Sequence, residues 1–221
     1  MEPTNELLDK YERDHGNLCP GQVLGIRMAA LGCLLVGVND PRGVDRKKLI
    51  VWIEIDRWLA DAVEAVTGAR LGERTLKFLD YGKLAATFLN KQTGEAVRIV
   101  ALESSRRLAD RRHPEIGSKY LRQIAVYSEA SDEELFEVGF AEVQLSEMDA
   151  PGHPRSRVIC THCAEGVNDG REVSTHDGSR ICRPCAFAAG HQAFALAGKV
   201  GGAVTRYGHW AAYGRQNPPV V

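Results

Sequence analysis

No apolar run in this 221-residue chain is long enough to cross a bilayer. The longest, Val23–Val38, is interrupted by Gly25, Arg27 and Gly32 and is short of the roughly 20 residues a spanning helix needs. This argues against a membrane-spanning helix. Neither sign of charge dominates: 28 Lys and Arg face 29 Asp and Glu, a net charge of -1. There is therefore no global attraction to nucleic acid or anionic lipid. The chain also lacks a glycine-rich phosphate loop, a nucleophile elbow and a dinucleotide fingerprint, which removes the chemistries those motifs carry. Residues 186–221 contain no Asp or Glu; their charges are Lys199, Arg206 and Arg215, beside His191 and His209. The first ten residues are charged and helical in pattern, unlike a secretory signal. A cytoplasmic location with no membrane partner is the simplest expectation.

Periodicity and turn residues predict an α+β fold, a mostly antiparallel sheet covered by helices. Helices are expected over 4–13, 20–38, 57–66, 103–112 and 118–128. In the last of these, Leu121, Ile124, Ala125 and Tyr127 would form the inner face. Asp56 stands where it can cap the helix that follows it. Strands are expected over 49–55, 75–79, 84–89, 95–102 and 140–145, with residues 90–94 as a hairpin turn. The chain divides into a main domain over 1–148, a linker over 149–157 marked by Pro and Gly, a small module over 158–190, and a Gly/Ala-rich tail over 191–221. The tail up to Ala203 has helical composition that its glycines weaken, and its last five residues should fray.

The small module carries the strongest motif. Cys160-Thr-His-Cys163 and Cys182-Arg-Pro-Cys185 flank eighteen residues, the spacing of a zinc ribbon. Four thiolates close a tetrahedral site, so the zinc would be structural. Asn168-Asp169-Gly170 and His176-Asp177-Gly178 are turn signals. The polar stretch between the cysteine pairs has too little apolar content to fold unaided, and metal would supply the missing stability. Arg155, Arg157, Arg171, Arg180 and Arg183 permit nucleic-acid contact. Glu165, Asp169, Glu172 and Asp177 break up any basic face, so bracing or protein contact is favoured and nucleic acid is not expected as a partner.

His15-Gly-Asn-Leu-Cys19-Pro-Gly21 brings an imidazole and a thiol together before an apolar helix. Pro20 suits the first helical position. Cys19 would then sit at the N-cap, where free N–H groups and the helix dipole favour a thiolate. The pair is a candidate metal site or catalytic pair, with Cys19 as ligand or nucleophile and His15 as ligand or base. The plain alternative is a space-filling cysteine and a histidine closing a helix. Asp56, Asp61, Asp80, Tyr81 and Lys83 are further candidates, each with a simpler reading as cap, solvated charge or turn. Arg106, Arg107, Arg111 and Arg112 read as a solvated helix face.

Four blocks, His15–Gly21, Asp61–Gly68, Gly72 and Asp80-Tyr-Gly-Lys83, followed by the double Cys-x-x-Cys, together resemble the E-subunit family of formylmethanofuran dehydrogenase over residues 5–190. The resemblance implies an α+β metal-binding protein, often a homodimer, found beside molybdenum or tungsten enzymes. It implies that His15 and Cys19 ligate a second metal or metal-containing cofactor. Typical members place another cysteine where this chain has Trp58, and a further one at Ala69. Two protein ligands make an incomplete zinc site. Candidates for completing it are Asp56, Asp61, a partner subunit, or histidines of the module and tail. Otherwise a flat cofactor stacks on Trp58, with Asp80, Tyr81 and Lys83 close by, or the metal function has been lost and the fold retained. The expected function is that of a redox-related enzyme or an accessory to a molybdenum or tungsten partner enzyme. The alternative is a non-catalytic zinc-ribbon scaffold that docks a partner.

Overall fold

The computed structural model describes residues 4–16, 18–188 and 203–209. These form two compact units, one comprising residues up to Val143 with the strand near residue 204, the other running from Gln144 to Ala203.

The first unit is α+β, built on a six-stranded sheet of order β10-β5-β4-β3-β1-β2. The strands are β1 (Leu49–Ile53), β2 (Leu76–Phe78), β3 (Ala85–Asn90), β4 (Ala96–Ala101), β5 (Phe136–Gln144) and β10 (Ala203–His209). The run β1-β3-β4-β5 is antiparallel; β1 and β2 are parallel. A parallel pair needs a crossover, and helix α3 (Trp58–Thr67) supplies it. The hairpin turns at Gly94, whose positive φ of 81° suits glycine.

Strand alternation explains which residues enter the core. Val51, Ile53, Phe88, Val97 and Ile99 join one apolar cluster with helices α1 (Thr4–His15), α2 (Pro20–Leu35) and α3. Helix α2 is buried on nearly every side, including Val23, Ile26 and Met28. A Cβ on Gly25 would lie 2.7 Å from the Ala62 Cβ and 3.0 Å from the Leu59 backbone, so glycine is what lets α3 pack this close. Arg27, the charge inside this apolar helix, caps another one. Its guanidinium donates to the carbonyls of Tyr127 (2.9 Å) and Ala130 (2.5 Å) and pairs with Asp132 at 2.6 Å. It thereby satisfies carbonyl groups at the end of α5 (Lys119–Glu129) and complements the negative end of its dipole. Glu54 and Arg98 form a second buried pair, with both guanidinium–carboxylate distances at 2.6 Å.

Three expectations need correction. Of the expected inner face of α5, Tyr127 is buried and Ile124 packs against the core, but Leu121 is exposed, and Gln123 and Val126 are buried instead. Its N-terminal turn faces outward, and Tyr120 reaches across to donate to the Leu18 carbonyl at 3.2 Å. The strand expected at 140–145 begins at Phe136, directly after α6 (Asp132–Leu135) and without a loop. A strand over Ala203–His209 adds an edge to the main sheet that tail composition did not suggest. The expected helical stretch up to Ala203 and the expected fraying at 217–221 lie outside the described residues. Helix α4 (Ser104–Arg112) agrees with the pattern to within one residue. Among the described residues no helix is long and apolar enough to cross a membrane.

The second unit consists of two hairpins and a short helix. Strands β6 (Arg157–Ile159) and β7 (Gly166–Asn168) pair antiparallel, as do β8 (Glu172–Ser174) and β9 (Arg180–Cys182), and α7 (Arg183–Ala188) follows. Asp169, Gly170 and Gly178 occupy positive-φ turn positions. The apolar core is small: Val173, Ile181 and Ala186, with Cys160 and Cys182.

Candidate functional site

Cys160 and Cys163 lie in the β6–β7 connection; Cys182 ends β9 and Cys185 lies in α7. The four Sγ atoms all lie within 4.8 Å of one another, and the Cys163–Cys182 separation is 3.8 Å. A tetrahedron of thiolates about 2.3 Å from a central zinc has edges of about 3.8 Å, so the geometry fits a metal of that kind. Cys160 Sγ accepts from backbone N–H groups, first that of Cys163 and then that of Cys182, the latter at 3.2 Å. These bonds bring the Cys160 thiol down to about 6. The hydrogen bond to Cys182 and desolvation push the Cys185 thiol up. Sulfurs this close cannot all be thiolates without a cation among them. Every protein ligand is a cysteine and the set is complete at four, which is the pattern of a structural site.

In the first unit, Cys19 is the N-cap of α2. Its Sγ accepts from the Gln22 N–H at 3.3 Å, and Gln22 Oε1 accepts from the Cys19 N–H at 2.7 Å. This is a capping box in which a thiol replaces the usual hydroxyl. Pro20 occupies the first helical position, as the sequence suggested. Cys19 is partly exposed. By contrast Cys33, in the same helix, is buried, and burial pushes its thiol up to about 12. Only Cys19 of these two is placed to react or to ligate.

Near Cys19 the structure places Trp58 and Tyr11. The Cys19 Sγ and the Trp58 Cβ would each lie 3.7 Å from a Cβ placed on Gly21. Gln22 Nε2 donates to the Tyr11 hydroxyl at 3.4 Å. Burial raises the Tyr11 phenol; the hydrogen bond from Gln22 lowers it, and the charges of Asp61 and Cys19 raise it further. Trp58 begins α3 and its side chain is 60% exposed. Trp58 and Asp61 line both of two adjoining clefts. One, of about 550 Å³, runs beside Tyr11 and Lys10 of α1; the other, of about 530 Å³, lies against Leu71 and Phe78.

The remaining candidates are placed differently. The backbone of His15 ends α1, but its side chain lies outside the described residues. Among the described residues no three metal-ligating side chains converge at Cys19. Asp56 does not cap α3. The helix begins one residue later than the pattern suggested, Arg57 holds the N-cap position without a side-chain bond, and Asp56 instead lines the second cleft. The Asp80–Lys83 loop reaches the same end of the sheet, since the Lys83 N–H donates to the Glu54 carbonyl at 3.0 Å. Asp80, Tyr81 and Lys83 line neither cleft. Sequence reasoning missed Tyr11 and Gln22. The Cys-x-x-Gln spacing was the available signal for Gln22; nothing local marked Tyr11.

A family model described as "FmdE, Molybdenum formylmethanofuran dehydrogenase operon" matches residues 14–150. A "Probable S-adenosyl-L-methionine-binding protein" of Archaeoglobus fulgidus is 28% identical over 199 residues, 81% of this chain and 52% of that protein. The chain thus spans about half the length of this relative. The crystal structure of an FmdE-like protein of the tungsten formylmethanofuran dehydrogenase type, from Syntrophus aciditrophicus, has a similar fold. It shows 23% identity and a TM-score of 0.53, covering 84% of this chain and 93% of that one.

Proposed function

Because this chain belongs to the FmdE family, we propose that it is a metal-binding protein with two centres, acting as a redox-related enzyme or as an accessory to a molybdenum or tungsten enzyme. The ribbon cysteines Cys160, Cys163, Cys182 and Cys185 would hold a structural zinc. The second centre is at Cys19, where a metal or metal-containing cofactor would be bound by Cys19 and His15. The observation that carries this reading is the position of the Cys19 sulfur. It accepts an N–H at the start of α2, is partly exposed, and lies near Trp58 and, through Gln22, Tyr11. The described residues around Cys19 do not complete a ligand set, so a second copy of the chain in a homodimer is the natural source of the rest. If the centre is catalytic, Cys19 serves as ligand or nucleophile and His15 as ligand or base.

Metal content and absorption of the purified chain test this directly. The expected result is more than one metal, or a visible chromophore, in the native chain, with only the ribbon metal left in Cys19→Ala. Unchanged metal and cofactor content in that variant would sink the reading. Light scattering on both proteins checks the homodimer.

A second reading is a scaffold that docks a partner enzyme through the ribbon. It is favoured by two large apolar side chains left exposed there, Ile159 at 57% and Phe187 at 68%. Replacing both by serine should abolish assembly with a partner while leaving the ribbon metal in place; assembly that persists counts against it.

A further inference from the structure

The cleft bounded by Trp58 and Phe78 has a composition that the second centre does not explain. Its walls combine an exposed indole with Phe78, Leu71 and two carboxylates, Asp56 and Asp61. Among the described residues neither carboxylate has a hydrogen-bond or ion-pair partner. Glu64, also on the wall, is engaged by Arg70 at 3.7 Å. Arg57 is the one cationic side chain lining this cleft among the described residues. The neighbouring cleft differs, since Lys10, Arg42 and Arg70 all border it and Arg42 is held by the Ala65 carbonyl. An aromatic face beside unpaired carboxylates in a largely apolar wall attracts a large, weakly hydrated cation. A small metal ion would instead call for convergent oxygen ligands, and the described residues offer no such group here. A neutral apolar ligand would gain nothing from the exposed carboxylates of Asp56 and Asp61. The volume of about 530 Å³ is within the range of small-molecule sites.

We propose that this cleft binds an organic cation bearing a methylated ammonium or sulfonium group, with Trp58 as the aromatic platform and Asp61 and Asp56 as counter-charges. The inference rests on Trp58 bordering a ligand site, and does not require a metal at Cys19. Its test is calorimetric titration of the full, metal-loaded chain with choline, with trimethylsulfonium, and with 3,3-dimethylbutan-1-ol, the neutral counterpart of choline. Saturable binding of at least one cation is expected, with little or none of the neutral alcohol. The tighter cation identifies the source of the charge. Trp58→Ala should weaken binding about tenfold and Asp61→Asn severalfold, the range for a partly desolvated cation–π contact. Both residues are exposed, so the variants should melt like the native chain. Cys19→Ala should bind the cation normally even if its metal is lost, which separates failure of this inference from failure of the metal reading. Failure of both cations to bind, equal binding of the neutral alcohol, or full affinity in Trp58→Ala would overturn it.

Discussion

The two units of this protein are held together by different means. In the first, helices α1 to α3 and one face of the sheet enclose a continuous apolar cluster that includes Val23, Ile26, Met28, Phe88 and Ile99. Burial on this scale supports a fold without further help. In the second, five residues form the buried centre, and two of them are metal-site cysteines. Three-residue strands and a six-residue helix cannot offset their ordering entropy with so little apolar area. Hydrophobic burial supplies the cohesion of one unit; the other has instead a cluster of four cysteines that could hold a metal. The difference shows which polar groups each unit can bury. The first tolerates Glu54 and Arg98 because they pair with each other. The second could keep its four sulfurs as thiolates only with a cation among them.

Chelation should break the comparison open most widely. Structural zinc contributes on the order of 10–16 kcal/mol in small metal modules; if the four cysteines hold such a metal, stripping it should unfold the second unit and leave the first intact. Amide exchange would show protection lost in β6 to β9 and kept in β1 to β5; ribbon protection that survives chelation would refute a metal-held fold. The largest effect expected within the first unit is at its buried ion pair. Arg98→Ala leaves Glu54, which is 1% exposed, charged and unpartnered, and should cost about 3–5 kcal/mol in denaturant melts, with ribbon metal content unchanged. Gly25→Ala comes next. Alanine improves helix propensity by about 1 kcal/mol, yet the 2.7 Å approach to Ala62 should produce a net loss of about 1–3 kcal/mol from overpacking. A stabilised variant would mean that α2 and α3 can separate cheaply.

The smallest effect depends on pH. His113 stands between Glu115 and Glu129 at 3.0 Å from each, and these hydrogen bonds raise its ionisation above the usual imidazole value. A raised value means that the folded state holds the proton more tightly. The stabilisation is complete below the unfolded-state value of about 6.5 and is lost as pH rises through the folded-state value. Melting temperature should therefore drop slightly across that window, and the drop should shrink in Glu129→Gln. An identical pH profile in the variant would remove His113 from the account.

Much of this was legible because it is local. Cys160, Cys163, Cys182 and Cys185 declare themselves by spacing. Pro20 and Cys19 mark a helix start through backbone rules that act within a few residues. The same reasoning misplaced Asp56, because a one-residue shift of the α3 start moves the carboxylate from the cap position to a cleft wall. It misjudged the inner face of α5, because Leu121 is apolar by type but lies on the turn that faces away from the core. Tyr11 could not be found from its neighbours, since its place beside Gln22 and Asp61 depends on how α1 meets α2 and α3.

What the sequence by itself determined is the class of the fold, the ribbon, the likeness to the FmdE family and the identity of Cys19 as a helix cap. Each of these follows from periodicity, spacing or cap chemistry over short stretches of chain. Only the tertiary structure decided what surrounds Cys19 and what Trp58 faces. Trp58 comes near a thiol some forty residues earlier because Gly25 allows α3 to lie against α2. Which face of the indole is left open is set by that packing, which no local rule encodes.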